Sequence, residues 1–213
     1  MIEAVLWDLD GVLVDTARFH FQAWSQLFDE LGRSFGEEDF RRTFGLRNDL
    51  IFREELPDTS AEEMGRLSDR KEALFRRFAA GSVAPLPGAL ELVRRTRAKG
   101  RRMALVTSTP RANIDFVLGQ AGLADAFETV VAAEDVSRGK PDPEGYLLAA
   151  RRLGVPPERC LVIEDAPGGI EAGRRAGMRT LAVTTTHSRE ELTAAGTIVD
   201  SLDDPATTAL LES

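Results

Sequence analysis

An α/β fold with a mostly parallel sheet, interrupted by an all-helical insert, is the architecture that the sequence predicts. Three observations predict it. The apolar run Ala4-Val5-Leu6-Trp7 reads as a buried strand, and it ends on two carboxylates, Asp8 and Asp10. No strand-like run interrupts residues 16–80, where apolar positions recur at helical spacing. From Gly88 onward helix and strand alternate, which is the rhythm of βαβ crossovers and of a parallel sheet.

The 213 residues, 43% of them hydrophobic, suffice for one medium domain with a sizeable insert. A net charge of -8, without any Lys/Arg cluster interleaved with aromatics, argues against a nucleic-acid surface. An anionic substrate therefore needs local cations. With no signal-like opening and no long apolar span, the expectation is a cytoplasmic protein, off the membrane and monomeric. Cys160 is the single cysteine and precedes Leu161-Val162-Ile163, which excludes a disulfide framework and favours a buried, inert thiol. Lys71, Lys99 and Lys140 are the only lysines among many arginines, so a lysine can mark a place that needs a compact ammonium. Lys99, in Ala98-Lys99-Gly100, is accounted for by a helix end.

The first strand spans residues 3–8. Side chains at i and i+2 of an extended segment share a side, so Asp8 and Asp10 converge beyond the carboxyl end of that strand, where open α/β sheets bind ligands. Two such carboxylates repel and need a cation, a shared proton or strong hydrogen bonds. A plain Asp-Gly turn with both carboxylates solvated is the alternative. A helix from Asp15 to Leu31 follows, with Phe19, Ala23, Leu27 and Leu31 at helical spacing beside Trp24 and Phe28, and Gly32 as its stop. Asn48 can cap a helix over 49–56 that ends before Pro57. Ser60-Ala61-Glu62-Glu63 has the capping-box pattern and opens a helix to about Ala80.

Residues 81–88 read as a linker. Beyond it come helix 88–99, strand 103–107, helix 110–121, strand 129–132, helix 143–153, strand 160–164, helix 167–176 and strand 180–183. His187 reads as a loop residue before a second capping-box pattern at Ser188-Arg189-Glu190-Glu191, and residues 200–213 as a strand exit and a final helix. The first strand belongs with the later ones, since alone it could not bury its faces. The expected division is thus a Rossmann-like core of residues 1–14 and 86–213, with residues 15–85 as a helical cap. The cap is expected directly over Asp8, with hinges near 12–16 and 80–86.

Three more strand ends are polar. Met103-Ala104-Leu105-Val106 ends on Thr107-Ser108-Thr109-Pro110, where Thr109 reads as a cap and Thr107, with Ser108 beside it, as a ligand contact. In Gly139-Lys140-Pro141-Asp142-Pro143, helix capping explains Asp142 and the prolines but leaves Lys140 free to neutralise a phosphoryl oxygen. Leu161-Val162-Ile163 ends on Glu164-Asp165, so four carboxylates lie at two strand ends, a set of hard oxygen donors suited to Mg²⁺. Gly168-Gly169 meets neither dinucleotide nor P-loop spacing and reads as a tight strand-to-helix turn. In the helix after Glu62 the stripe Met64, Leu67, Leu74 and Phe78 aims Lys71 inward, where an ammonium must be paired or meet a ligand.

Asp8-Leu9-Asp10-Gly11, Thr107, Lys140 and Glu164-Asp165, in that order and at strand ends, resemble the four-motif pattern of the haloacid dehalogenase superfamily. The stretches Asp15–Trp24 and Glu164–Gly173 are most similar to its β-phosphoglucomutase-like phosphatases. The resemblance implies that Asp8 is the nucleophile and Asp10 the general acid and base, with Thr107 and Lys140 stabilising the transferred group. It implies Mg²⁺ on Asp8, the backbone carbonyl of Asp10 and Asp165, with Glu164 nearby. His20, Arg47, Asn48, Lys71 and Ser108 are the candidate substrate contacts. In the resembling mutase an Arg follows the cap's Gly-Val-Ser; here Gly45-Leu46-Arg47-Asn48 displaces Arg47 by one residue, about 100° on a helix. That favours a phosphatase acting on a small phosphorylated metabolite, such as a sugar or polyol phosphate, over a mutase. A non-catalytic module that binds a phosphometabolite is the reading from another class.

Overall fold

A computed structural model of the chain describes residues 1–212. Six strands, β1 (Ala4–Trp7), β2 (Arg102–Val106), β3 (Thr129–Val131), β4 (Cys160–Glu164), β5 (Arg179–Val183) and β6 (Thr197–Val199), form one sheet in the order β3-β2-β1-β4-β5-β6. Every pair is parallel. From β1 the chain winds outward through β2 and β3, then crosses back so that β4 lies on the other side of β1. That reversal leaves a crevice at the carboxyl ends of β1 and β4, the place where such sheets take ligands. Register is tight there: Trp7 pairs with Ile163, and Asp8 N donates to Ile163 O at 3.0 Å.

β1 is fully buried because both faces are covered, and its side chains alternate between the two layers. Val5 and Trp7 pack with Met103, Leu105, Leu161 and Ile163 on one face. Ala4 and Leu6 pack on the other with Val162, Tyr146, Ala149 and Leu153. The covering helices are α5 (Ala89–Ala98), α6 (Arg111–Ala121), α7 (Glu144–Leu153), α8 (Pro167–Arg175) and α9 (Pro205–Glu212), numbered after four that precede them. Ser213, at the end of the expected last helix, lies outside the described residues. Cys160 is free and fully buried, and burial, reinforced by Glu158 and Glu3, pushes its thiol up to about 11.

Between β1 and α5 lie only helices: α1 (Ala17–Glu30), α2 (Glu37–Thr43), α3 (Asn48–Glu55) and α4 (Ala61–Ala79). They share an aromatic centre in which Trp24 packs on Phe28, Phe35 and Phe52. This helical cap joins the sheet domain through two segments that run side by side. Val14 bridges Pro85, Asp15 N donates to Ala84 O at 3.1 Å, and Leu86 N donates to Leu13 O at 3.0 Å.

Several local expectations change. α2 has no predicted counterpart; seven residues are too few for a periodic pattern, and its Phe40 is held by Phe21 and Phe44. α1 stops at Glu30, so Leu31 is 40% exposed rather than part of the buried stripe. α3 is capped at Arg47, not Asn48, whose amide is spent elsewhere. Ser188 N does bond Glu191, at 2.9 Å, but the pattern closes a turn and opens no helix. β6, just before the strand exit expected from residue 200, has no bounds in the sequence reading because three residues leave no alternation to read. Among the described residues no helix is long and apolar enough to cross a membrane.

Candidate active site

The crevice at the strand reversal collects acids. Asp8 follows β1 and Glu164 ends β4, with Asp165 next in the chain. All three are buried, and each offers one carboxylate oxygen within 4.8 Å of the others. Their convergence depends on missing side chains. A Cβ on Gly11, which has φ +81°, would overlap the Asp165 carboxylate, and one on Gly169 would overlap that of Glu164. Gly169 is thus the functional half of the glycine pair, whereas a Cβ on Gly168 meets open space.

Lys140 reaches the same point from the turn before α7. Its Nζ donates to Asp8 Oδ1 at 2.6 Å, to Glu164 Oε1 and to Val106 O at 3.2 Å. Tyr146, the chain's single tyrosine, donates to Glu164 Oε1 at 2.6 Å from α7. Thr186 donates to Asp165 Oδ2, and the His187 ring touches Asp165 O at 3.1 Å, Nδ1 to oxygen. Three buried carboxylates therefore face one ammonium. Burial pushes Asp8 up to about 8; Lys140 opposes the shift, while Glu164 and Asp10 add to it. Asp165 is raised well above the usual carboxylate range, by burial first and then by Glu164 and Asp8. Burial alone would lower Lys140, but Asp8 and Glu164 outweigh it and raise the ammonium above its ordinary value. An uncompensated excess of buried negative charge on hard oxygen donors fits a divalent cation.

Asp10 is set apart from this cluster. Thr109 donates to its Oδ2 at 2.6 Å and Thr16 to its Oδ1, while His20 Nε2 stands 3.4 Å from Oδ1 without hydrogen-bond alignment. Burial pushes this carboxyl up, yet His20, Thr109 and Thr16 together outweigh it and hold Asp10 down to about 2. The side chain is thus committed to the hydroxyls, and any metal contact would fall to its backbone carbonyl. Thr109, read from sequence as a helix cap, instead holds the Asp10 carboxylate. Thr107 stays at the strand end, its Oγ1 accepting from Thr109 N at 3.1 Å.

A cleft of about 280 Å³ lies between this floor and the helical cap. Asp8, Asp10, Thr107, Ser108, Lys140, Glu164 and Asp165 line it from below, and His20, Asn48 and Lys71 from above. Phe40, Phe44 and His187 also line it, although no sequence pattern marked them. Arg47 is not among its walls. Its guanidinium turns the other way, donating to Val136 O at 2.9 Å and to Asp49 Oδ1 at 2.9 Å. Asn48 Nδ2 donates to Ser68 Oγ at 2.8 Å and Glu72 Oε1 at 2.7 Å.

Lys71 is 2% exposed, as its inward register requires. Its Nζ bonds Glu72 Oε1 and His20 Nδ1, each at 2.9 Å, and lies over the ring of Trp24. Lys71→Ala leaves Glu72 without its cation and His20 without its Nδ1 partner. Loss of a charged hydrogen bond on this scale is expected to raise KM about tenfold, checked by steady-state kinetics; an unchanged KM would make Lys71 a purely structural cation.

The family model of haloacid dehalogenase-like hydrolases matches residues 2–177. The chain is 34% identical over 208 residues to validoxylamine A 7'-phosphate phosphatase of Streptomyces hygroscopicus subsp. limoneus, covering 96% of each protein. It is 34% identical over 185 residues to the phosphorylated carbohydrates phosphatase of Thermotoga maritima, covering 84% of each. The crystal structure of a β-phosphoglucomutase from Clostridium difficile superposes with a TM-score of 0.89 at 29% identity, covering 100% of this chain and 96% of that one. With this match spanning the acid cluster, Lys140 and the inserted cap, the chain belongs to the haloacid dehalogenase-like hydrolases.

Proposed function

We propose that the protein is a magnesium-dependent phosphatase that hydrolyses small phosphomonoesters, sugar or polyol phosphates, through an aspartyl-phosphate on Asp8. The observation that carries this reading is the position of Asp8. It lies in the cleft, tethered at 2.6 Å by Lys140 and within reach of Glu164 and Asp165. Asp8, Asp165 and the Asp10 backbone carbonyl would hold Mg²⁺, with Glu164 beside them. The ion would supply charge stabilisation for an anionic transition state.

Asp8 attacks phosphorus as the bond to the ester oxygen breaks, and Asp10 delivers a proton to that departing oxygen. An incoming phosphate is a like charge that raises Asp10 from its low resting value, so that it takes up this proton when substrate is bound. Ionised again, Asp10 accepts a proton from a water that attacks phosphorus, releasing inorganic phosphate and restoring Asp8. Lys140 and Thr107 hold the phosphoryl oxygens. Residues 15–85 act as a cap moving on the paired segments around Val14 and Pro85. The phosphatases among the relatives support the substrate class.

The direct test is phosphate release from p-nitrophenyl phosphate and a panel of sugar phosphates, with and without EDTA. A second readout needs no turnover. Because the Asp8 carboxyl is raised from about 4 to about 8, the metal-free folded protein binds more protons than the unfolded chain between those values, so its stability falls as pH rises through that window. Mg²⁺ requires ionised ligands, so its increment in Tm should grow from about pH 5 to about pH 8. A constant increment would count against Asp8 as a ligand. The likeness to β-phosphoglucomutase keeps a mutase as the second reading. Turnover of β-glucose 1-phosphate that depends on catalytic glucose 1,6-bisphosphate would establish it.

A further inference from the structure

The geometry points to Asn113, on α6 outside the acid-bearing strand ends and outside the cleft walls, as a positioning residue that locks the cap helix α4 onto the core and thereby sets Asp10. This rests on the reading of Asp10 as the leaving group's proton donor.

Asn113 sits in the first turn of α6 and is fully buried. Both ends of its amide are used by α4. Its Oδ1 accepts from Arg76 Nη1 at 2.5 Å, and its Nδ2 donates to Glu72 Oε2. An amide is the side chain that can do this, because it offers an acceptor to a cation and a donor to an anion from one rigid plane. The other oxygen of Glu72 is bonded by Lys71, Lys71 touches His20 Nδ1, and His20 Nε2 faces Asp10. Asp10's remaining oxygen accepts from Thr109, four residues before Asn113 in the chain. The contacts form a closed circuit that crosses from core to cap and returns. One segment, residues 109–113, thus holds Asp10 directly from below and, through α4, from above.

Breaking the bridge strips Glu72 Oε2 and the Arg76 guanidinium of their Asn113 bonds, while Asn48 and Lys71 stay on Glu72 Oε1, and the loss of both cross-links favours separation of α4 from α6. His20 and Lys71 then move away with the cap helices, and Asp10 keeps only its hydroxyl partners. Asn113 touches neither substrate nor Asp8, so its effect is confined to how Asp10 is presented.

Leaving-group dependence reads this out. Phenyl phosphate and p-nitrophenyl phosphate have nearly the same shape, but the nitrophenolate departs without a proton, whereas phenolate needs one. In the full chain with Mg²⁺, Asn113→Ala is expected to lower kcat/KM for phenyl phosphate about tenfold more than for p-nitrophenyl phosphate. Asn113→Asp retains an acceptor for Arg76 but sets a carboxylate against Glu72, and it should show at least the same skew. Should neither variant fold, Glu72→Gln tests the bridge from its other end. Equal losses on both esters, or none, would overturn the proposal. If the wild-type chain hydrolyses neither ester, the phosphatase reading fails. Amide exchange then decides the Asn113 proposal: faster exchange over residues 68–76 in Asn113→Ala, with α8 unchanged, supports it, and unaltered exchange overturns it.

Discussion

Asp8→Asn is expected to abolish turnover, with a loss of about 10⁴-fold or more, as found when an enzymic nucleophile is removed. At about 1.4 kcal/mol per decade that is a barrier increase of more than about 5 kcal/mol. An amide has no charge to place on phosphorus and cannot form the acyl phosphate. Stability should move little, or upward. Asp8 is one of three mutually repelling buried carboxylates, and Lys140 keeps Glu164 as its partner when Asp8 becomes neutral. The measurement is a single-turnover assay paired with a thermal melt. A variant that retains an appreciable fraction of wild-type turnover would show that another group attacks phosphorus.

Lys140→Ala should damage both activity and fold. It removes the one ammonium among Asp8, Glu164 and Asp165, and Glu164 is 1% exposed. Stripping one partner from a buried ion pair costs about 3–5 kcal/mol, and loss of a cation aimed at a developing oxyanion costs about 10²–10³ in kcat. Mg²⁺ should recover more of the lost Tm in this variant than it adds to the wild type, because a dication can answer the charge that Lys140 left behind. Melts in EDTA and in excess Mg²⁺ measure this. Equal increments in both proteins would mean that Lys140 and the metal do not share the same carboxylates.

The strand-end groups were readable because each belongs to a local pattern. An apolar run ending in Asp8-Leu9-Asp10 or Glu164-Asp165 states both its burial and its polarity within a few residues. Lys71 was readable for the same reason, since helical periodicity alone turns it inward. Its partners were not, because Glu72 is its neighbour in the chain and only the packing of α1 on α4 brings His20 to its ammonium. Tyr146 lay 18 residues from Glu164, and Thr186 lay 21 residues from Asp165. Nothing local marks either one as a hydrogen-bond donor to an acid. Arg47 shows the opposite failure. Counting residues made it a candidate substrate contact, but Val136 and Asp49 hold its guanidinium outside the walls of the cleft.

By itself the sequence determined which chemical groups stand at the ends of which strands and that a helical unit interrupts the sheet, because strand burial, helix period and turn chemistry are decided over a few residues. Tertiary structure alone decided that β4 returns beside β1, bringing Glu164 and Asp165 to Asp8, and that Thr16, Thr109 and His20 gather on Asp10. Those are encounters between distant parts of the chain. Their outcome depends on how whole elements pack and on which side each presents, and no short stretch of residues encodes that.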